Sequence, residues 1–108
     1  MEITPKYINK HGCIVSVTIT NHCYRRFVSR WKIVLKDKKL PYDINMEVAQ
    51  WFNRSQRVTN LNGKEKDRVK RYGKDTLFFR ADTFTFIVQN SRIITVEISD
   101  HYKRSLNR

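Results

Sequence analysis

His22, Arg26 and Arg30 are spaced four residues apart in a stretch that is predicted to be helical. Side chains at this spacing lie on one face of a helix, so the three should form a line. Histidine can accept a proton, the first turn of a helix disfavours its charged form, and arginine can hold a phosphate oxygen. Cleavage of RNA by its own 2′-hydroxyl needs such a base and such cations. The alternative interpretation of the same pattern is an ordinary charged helix surface.

A second set of polar candidates lies in the last alternating stretch of the chain, residues 84–98. Apolar and polar side chains alternate there with the period of two that is typical of strands. A two-residue turn would set apolar against polar side chains, whereas a three-residue turn at 90–92 pairs Val88 with Ile94 and keeps one apolar face. The other face carries Thr85, Ile87, Thr95 and Glu97. Thr95 and Glu97 complete a catalytic site if the helix meets this face, and are solvent-facing residues if it does not.

Two amphipathic helices should position these residues. The first begins near Thr20 or Asn21, and the second near Asp43 or Asn45, because these side chains can cap a helix. Apolar residues recur in both at the spacing of one helix face. They are Tyr24, Phe27, Val28 and Trp31 in the first helix, and Ile44, Val48, Trp51 and Phe52 in the second. We therefore assign both tryptophans to the core rather than to base stacking.

The order of the predicted elements favours one α+β domain over residues 1–108. A short strand precedes the two helices, and several antiparallel strands follow them. We expect both helices to pack on one face of a twisted antiparallel sheet of about four strands. Residues 63–75 are charged, are interrupted by glycine and lack an apolar face, so they predict a mobile loop. Residues 100–108 predict a basic tail.

The composition is strongly basic, with 22 Lys and Arg against 10 Asp and Glu and a formal net charge of +12. A folded domain with this charge is suited to polyanions, and we expect nucleic acid, RNA rather than DNA. No apolar run is long enough to span a bilayer, and the first residues lack the apolar centre of a signal peptide. We therefore expect a cytoplasmic protein with no membrane association.

The residues expected to hold the nucleic-acid backbone fall mainly in the first helix, its connector and the segment 63–75. Tyr72 is an aromatic side chain among cations and could stack on an unpaired base. Arg80 could bind phosphate or pair locally with Asp82. The full set is Arg25, Arg30, Lys32, Lys36, Lys64, Lys66, Arg68, Lys70, Arg71, Tyr72 and Arg80.

Cys13 and Cys23 are the only cysteines of the chain. With no secretion signal, they are not expected to form a structural disulfide. Together with His11 and His22 they offer ligand types that suit zinc, but their spacing fits no familiar ligand pattern. We therefore expect neither a metal ion nor another cofactor.

Part of the chain resembles a family of small ribonuclease toxins. Residues 19–27 read Ile-Thr-Asn-His-Cys-Tyr-Arg-Arg-Phe, and residues 84–96 read Phe-Thr-Phe-Ile-Val-Gln-Asn-Ser-Arg-Ile-Ile-Thr-Val. They are similar to proteins that open with a Thr-x-His-x-x-x-Arg helix, end with a Thr-Val strand and are grouped with the RelE and barnase-like toxins. The resemblance implies metal-independent RNA cleavage on an exposed sheet face, with His22, Arg26 and Thr95 in the site. It also makes a protein partner such as an antitoxin an expectation.

Three functional hypotheses follow. The leading one is a toxin-type, metal-independent ribonuclease. The second is a non-catalytic basic protein of phage or mobile-element type that binds nucleic acid, and the third is an inhibitor that docks on another protein with help from its charge. The first two both predict salt-sensitive binding of a polyanion. They differ on His22, because only the ribonuclease hypothesis predicts that His22→Ala abolishes cleavage while binding survives.

Overall fold

The computed structural model describes residues 3–100 and 102–103. Three helices and seven strands form in this part of the chain. The helices are α1 (Asn21–Val34), α2 (Ile44–Arg54) and α3 (Gly63–Tyr72). The strands are β1 (Lys6–Ile8), β2 (Ile14–Ser16), β3 (Thr18–Ile19), β4 (Gln56–Arg57), β5 (Leu77–Ala81), β6 (Phe84–Gln89) and β7 (Arg92–Ile98).

The strands form two sheets. β1 and β2 make an antiparallel pair, and the other five lie in the order β3-β7-β6-β5-β4. β3 runs parallel to β7, whereas the remaining pairs of this sheet are antiparallel. The predicted α+β class is confirmed, but the prediction of about four strands in an antiparallel sheet is wrong in detail. β3 and β4 have two residues each, too few to show any periodicity in the sequence.

The β6–β7 hairpin combines two features that the sequence analysis treated as exclusive. The turn has two residues, Asn90 and Ser91, both with positive φ (52° and 59°), so the predicted three-residue turn is wrong. Phe86 still lies opposite Val96, as predicted. Ile94 is the extra residue that makes this possible, since the register shifts between Ile87 and Val88. This β-bulge restores the apolar face that a two-residue turn alone would have disrupted.

α1 and α2 pack on one face of the five-stranded sheet and form the core with it. Phe27 of α1 lies against Phe84, with ring centroids 5.0 Å apart, and Phe52 of α2 lies against Phe86 at 5.6 Å. Trp51 meets Phe84 edge-on at 5.0 Å. These aromatic residues pack in the core as predicted. They hold both helices in place from the same side.

One position of the predicted α1 stripe is wrong. Cys23 is fully buried, whereas Tyr24 is 39% exposed. Just before the first residue of the helix, the Thr20 hydroxyl caps α1 and bonds to β7, which fixes the start of the helix against the sheet. Cys23, Phe27, Trp31 and Val34 form the buried stripe.

The predicted mobile loop at 63–75 is wrong over most of its length, because Gly63–Tyr72 is helix α3. The helix begins with a capping box, in which the Asn62 side chain accepts from the Glu65 N–H and the Glu65 carboxylate accepts from the Asn62 N–H. It lies over the sheet face opposite α1 and α2, where Glu65 pairs with Arg80 at 3.1 Å. The helices therefore occupy both faces of the sheet, and not one as predicted.

The basic tail predicted at 100–108 falls largely outside the described residues, which here are Asp100, Tyr102 and Lys103. The Tyr102 hydroxyl donates to the Val34 carbonyl at the end of α1, at 3.3 Å. Within residues 3–100 and 102–103, no helix has both the length and the apolar character that a membrane span requires.

Candidate functional site

A cleft of about 300 Å³ lies where α1, α3 and β7 meet. It brings together eight of the residues predicted to act in catalysis or binding, from three separate parts of the chain. α1 contributes His22, Arg26 and Arg30, α3 contributes Arg68, Arg71 and Tyr72, and β7 contributes Thr95 and Glu97, with Ile94 also in the lining. Of the two alternatives left open by the sequence, the fold has the one in which the first helix meets the polar face of the hairpin.

The first turn of α1 is fixed to the bulge of β7 by one side chain. The Thr20 hydroxyl donates to the Ile93 carbonyl at 2.8 Å and accepts from the Cys23 N–H at 3.1 Å. The same group thus caps the helix and joins it to the strand. Ile93 is buried in the core, whereas the next residue, Ile94, lines the cleft. The bulge therefore determines the position of His22 along β7.

His22 and Arg26 contact each other on the cleft side of α1. Nε of Arg26 donates to Nε2 of His22 over 3.4 Å, an arrangement in which Nε2 carries no proton. The contact is long for a hydrogen bond, and both side chains are exposed. An anion that enters the cleft can therefore replace Nε2 of His22 as the acceptor for the Arg26 guanidinium. Nε2 is then free to accept a proton.

α3 and β7 are joined across the cleft by a charged pair. The guanidinium of Arg68 pairs with the carboxylate of Glu97, and both side chains are about one-third exposed or less, at 27% and 31%. The last turn of α3 is held by Gln89, whose side-chain amide donates to the Tyr72 carbonyl. Glu97 therefore orients Arg68, and Gln89 fixes the end of the helix that carries Tyr72.

The cleft is strongly positive. Among the residues that the structure describes, four arginines and a single carboxylate, that of Glu97, line it. Because Arg68 already pairs with that carboxylate, the positive charge of Arg26, Arg30 and Arg71 is not offset within the lining. Arginine guanidinium groups bind phosphate oxygens through paired hydrogen bonds. The arrangement is suited to a chain of phosphates.

Seven predicted nucleic-acid contacts lie outside the lining of this cleft. Arg80 is the clearest case, because its guanidinium pairs with the buried carboxylate of Glu65 and so stabilises the α3 face. Lys64 lies 3.9 Å from Asp100. The others are exposed on the surface of α1, its connector or α3, and they are Arg25, Lys32, Lys36, Lys66 and Lys70.

The residues considered for zinc are not assembled. Cys13 is exposed, whereas Cys23 is buried, and burial raises the pKa of its thiol from 9.0 to about 12. Among the described residues, no three His, Cys, Asp or Glu side chains are grouped closely enough to hold a metal ion.

Two contributors to the cleft were missed by reasoning from the sequence. Ile94 was assigned to the apolar face of the hairpin, and Thr20 was considered only as a helix cap. The Asn-Ser dipeptide at 90–91 was the available signal, because asparagine tolerates positive φ in a two-residue turn, and with the apolar pattern of residues 84–98 such a turn needs a bulge to keep one apolar face. No local signal in the sequence predicts the hydrogen bond from Thr20 to Ile93, because the two residues are 73 positions apart.

Comparison with known proteins gives no relative from which a function for this cleft could be transferred. No protein-family model matches the chain. No curated protein and no solved structure matches it either. The resemblance to RelE and barnase-like toxins therefore stays a hypothesis, and the chemistry of the cleft residues is the basis for the function proposed below.

Proposed function

We propose that this protein is an endoribonuclease that binds the phosphate backbone of RNA in the cleft between α1, α3 and β7, and that it needs no metal ion. The observation that carries the proposal is the convergence of His22, four arginines and Glu97 in one cleft. A proton acceptor and cations for the phosphate are what cleavage by the 2′-hydroxyl of RNA requires. The net charge of +12 favours association with a polyanion.

His22 acts as the base in this proposal. Nε2 takes the proton of the 2′-hydroxyl, the 2′-oxygen forms a bond to phosphorus, and the bond from phosphorus to the 5′-oxygen breaks. Arg26 and Arg30 bind the non-bridging oxygens, where negative charge develops. The departing 5′-oxygen takes its proton from water, which has access because His22 and Arg26 are exposed. The products are a 2′,3′-cyclic phosphate and a 5′-hydroxyl.

Two further residues have supporting roles. Glu97 is a positioning residue, because its pairing with Arg68 directs that guanidinium along the cleft. Tyr72 provides an aromatic ring on which an unpaired base can stack. Stacking requires a base that is not paired within a duplex, so the proposed substrate is single-stranded RNA or a loop.

Cleavage of labelled single-stranded and hairpin RNA in the presence of EDTA tests the proposal. His22→Ala should abolish the fragments that end in 2′,3′-cyclic phosphate while RNA binding persists. His11→Ala is the matched control, because His11 is also exposed but lies in the β1–β2 turn. Equal cleavage by the His22→Ala and parent proteins would show that the base is elsewhere or that the nuclease is a contaminant.

A non-catalytic RNA-binding protein is the second candidate. It is favoured by the excess of arginines in the cleft over groups that can exchange a proton. In this case neither the parent protein nor its variants cleave RNA, but the affinity for RNA falls steeply as the salt concentration rises. Arg26→Ala should weaken binding, whereas Arg25→Ala should change it little, because Arg26 lines the cleft and its neighbour does not. Equal effects of the two substitutions would mean that RNA does not lie in the cleft.

A further inference from the structure

An apolar groove of about 430 Å³ separates the two-stranded sheet from the edge strand β4 of the five-stranded sheet. Its apolar lining comes from Tyr7, Ile8, Ile14, Phe52 and Phe79. None of these residues lines the cleft that holds His22. The groove is therefore a separate surface, outside the function proposed above.

Both isoleucines that line this groove are unusually exposed. Ile8 and Ile14 lie opposite each other in the β1–β2 pair, and each is 68% exposed. A cross-strand pair of large apolar side chains is normally covered by other parts of the protein, because removing their surface from water lowers the free energy. Tyr7, the neighbour of Ile8 in β1, packs against Phe79 with ring centroids 5.0 Å apart. The side chains of Ile8 and Tyr7 alternate along the strand, and both residues line the groove.

The strands beside the groove have backbone groups that face outward. The bonds from Asn9 to Cys13 and from Val17 to Pro5 make Ile8 a non-hydrogen-bonded position of the β1–β2 pair, so its N–H and C=O point away from β2. The bond from Val58 to Phe78 gives Arg57 the same orientation at the edge of β4. Such edges pair with an added extended chain.

The charge at the rim selects the kind of chain that fits. Lys6 and Arg57 are exposed at the two sides of the groove, and none of the described residues that line it is acidic. We propose that the groove binds an extended segment of a partner protein that carries both apolar and acidic side chains. The apolar side chains cover Ile8, Ile14 and Phe79, and the acidic ones meet Lys6 and Arg57.

Selection of peptides from a random display library on the immobilised protein tests this proposal. The peptides that are recovered should be enriched both in Asp or Glu and in Ile, Val or Leu. Synthetic copies should bind the Ile8→Ser/Ile14→Ser double variant about tenfold more weakly than the parent, because two exposed apolar contacts are lost. Ile33→Ser is the matched control and should bind like the parent, since Ile33 is 55% exposed on α1, away from the groove.

Charge requires its own control, since a protein with a net charge of +12 attracts acidic peptides anywhere on its surface. Arg57→Glu should weaken binding, whereas Lys39→Glu, an exposed lysine outside the groove, should not. Equal losses in the two variants would overturn the proposal, as would recovered peptides that lack either the acidic or the apolar side chains. The double variant should unfold at the same denaturant concentration as the parent, because its side chains are already exposed.

A second copy of this chain is the competing occupant. Sedimentation of the parent as a dimer, and of the Ile8→Ser/Ile14→Ser variant as a monomer, would overturn the assignment to a different protein. RNA cleavage or binding by the double variant should equal that of the parent. The groove and the cleft are thereby tested separately, and failure of one proposal leaves the other standing.

Discussion

The two faces of the five-stranded sheet are covered in different ways. On one face, α1 and α2 cover the sheet with aromatic and aliphatic side chains, among them Phe27, Phe52 and Phe86, all of which are at most 1% exposed. On the other face, α3 is attached by the charged pairs Arg68–Glu97 and Arg80–Glu65. The first face is a large dry core, whereas the second buries the smaller apolar pair Phe78 and Ile87 beside its ion pairs and opens into the cleft.

This difference separates stability from recognition. Removal of apolar surface from water on the first face supplies most of the folding free energy. Partly exposed ion pairs on the second face contribute little to stability, because water screens them. They can, however, orient cations toward a ligand. The four predictions below test this division.

The largest expected effect compares two phenylalanines on opposite faces. Phe86→Ala should reduce the free energy of unfolding by about 5 kcal/mol, and Phe78→Ala by about 3 kcal/mol. Phe86 is enclosed by the core and contacts Phe52 at 5.6 Å, whereas Phe78 borders a pocket of about 220 Å³ under α3. Denaturant unfolding measures both values. Equal losses would show that α3 covers a second dry core.

Two arginines on the α3 face should separate binding from stability. Arg80→Ala should lower the free energy of unfolding by about 1–3 kcal/mol, because it leaves the carboxylate of Glu65, a residue 6% exposed, without its partner. Arg68→Ala should cost less than about 1 kcal/mol, because its pair is partly solvated.

RNA binding should respond in the opposite order. Arg68→Ala removes a cleft cation, so the slope of log affinity against log salt should fall by about one. Arg80→Ala should leave that slope unchanged, since Arg80 lies outside the cleft. Binding titrations at several salt concentrations measure both slopes. A larger change in slope for Arg80→Ala than for Arg68→Ala would contradict the assignment of RNA to the cleft.

The two helix caps on the dry face should differ in function and, to a smaller extent, in stability. Thr20→Ala and Asp43→Ala each remove a capping acceptor, from the Cys23 and Met46 N–H groups, at a cost of about 1 kcal/mol, and Thr20→Ala should cost about 1 kcal/mol more because it also loses the bond to Ile93. Thr20→Ala should also reduce cleavage or RNA binding, because the bond to Ile93 that places His22 is lost. Thr20→Ser should restore both properties. Failure of that rescue would argue against positioning through the hydroxyl.

The smallest effect concerns the two thiols. Burial raises the pKa of Cys23 from 9.0 to about 12, whereas Cys13 is exposed. A thiol reagent at pH 8 should therefore label one cysteine in the folded protein and two in denaturant. Since the unfolded chain loses this proton near pH 9 and the folded protein retains it, the contribution of Cys23 to stability should fall as the pH rises from 9 toward 12. Rapid labelling of both thiols in the folded state would indicate that the dry face opens.

The sequence was most informative about the dry face. The stripe of Phe27 and Trp31, the stripe of Val48 and Phe52, and the alternation around Phe86 all produced the predicted elements. Such patterns are visible because each element has to present one apolar face to the same core. The polar face lacks this signal. α3 was predicted as a loop because its residues are charged apart from Gly63, Val69 and Tyr72. The contacts that hold it to the sheet include the ion pairs of Glu65 and Arg68.

The sequence predicted residues of the candidate site but not how the fold brings them together. The sequence alone determined the line of His22, Arg26 and Arg30, because helical spacing is a local property, and it determined the positive charge. Only the tertiary structure decided that α3 joins this line, that a bulge turns Ile94 toward it, and that Arg80 serves Glu65 instead of the cleft. The physical reason is that these choices depend on contacts between distant positions. Arg68 and Glu97 are 29 positions apart in the sequence, and Thr20 and Ile93 are 73 positions apart. No local periodicity indicates which of these polar groups will bond to each other.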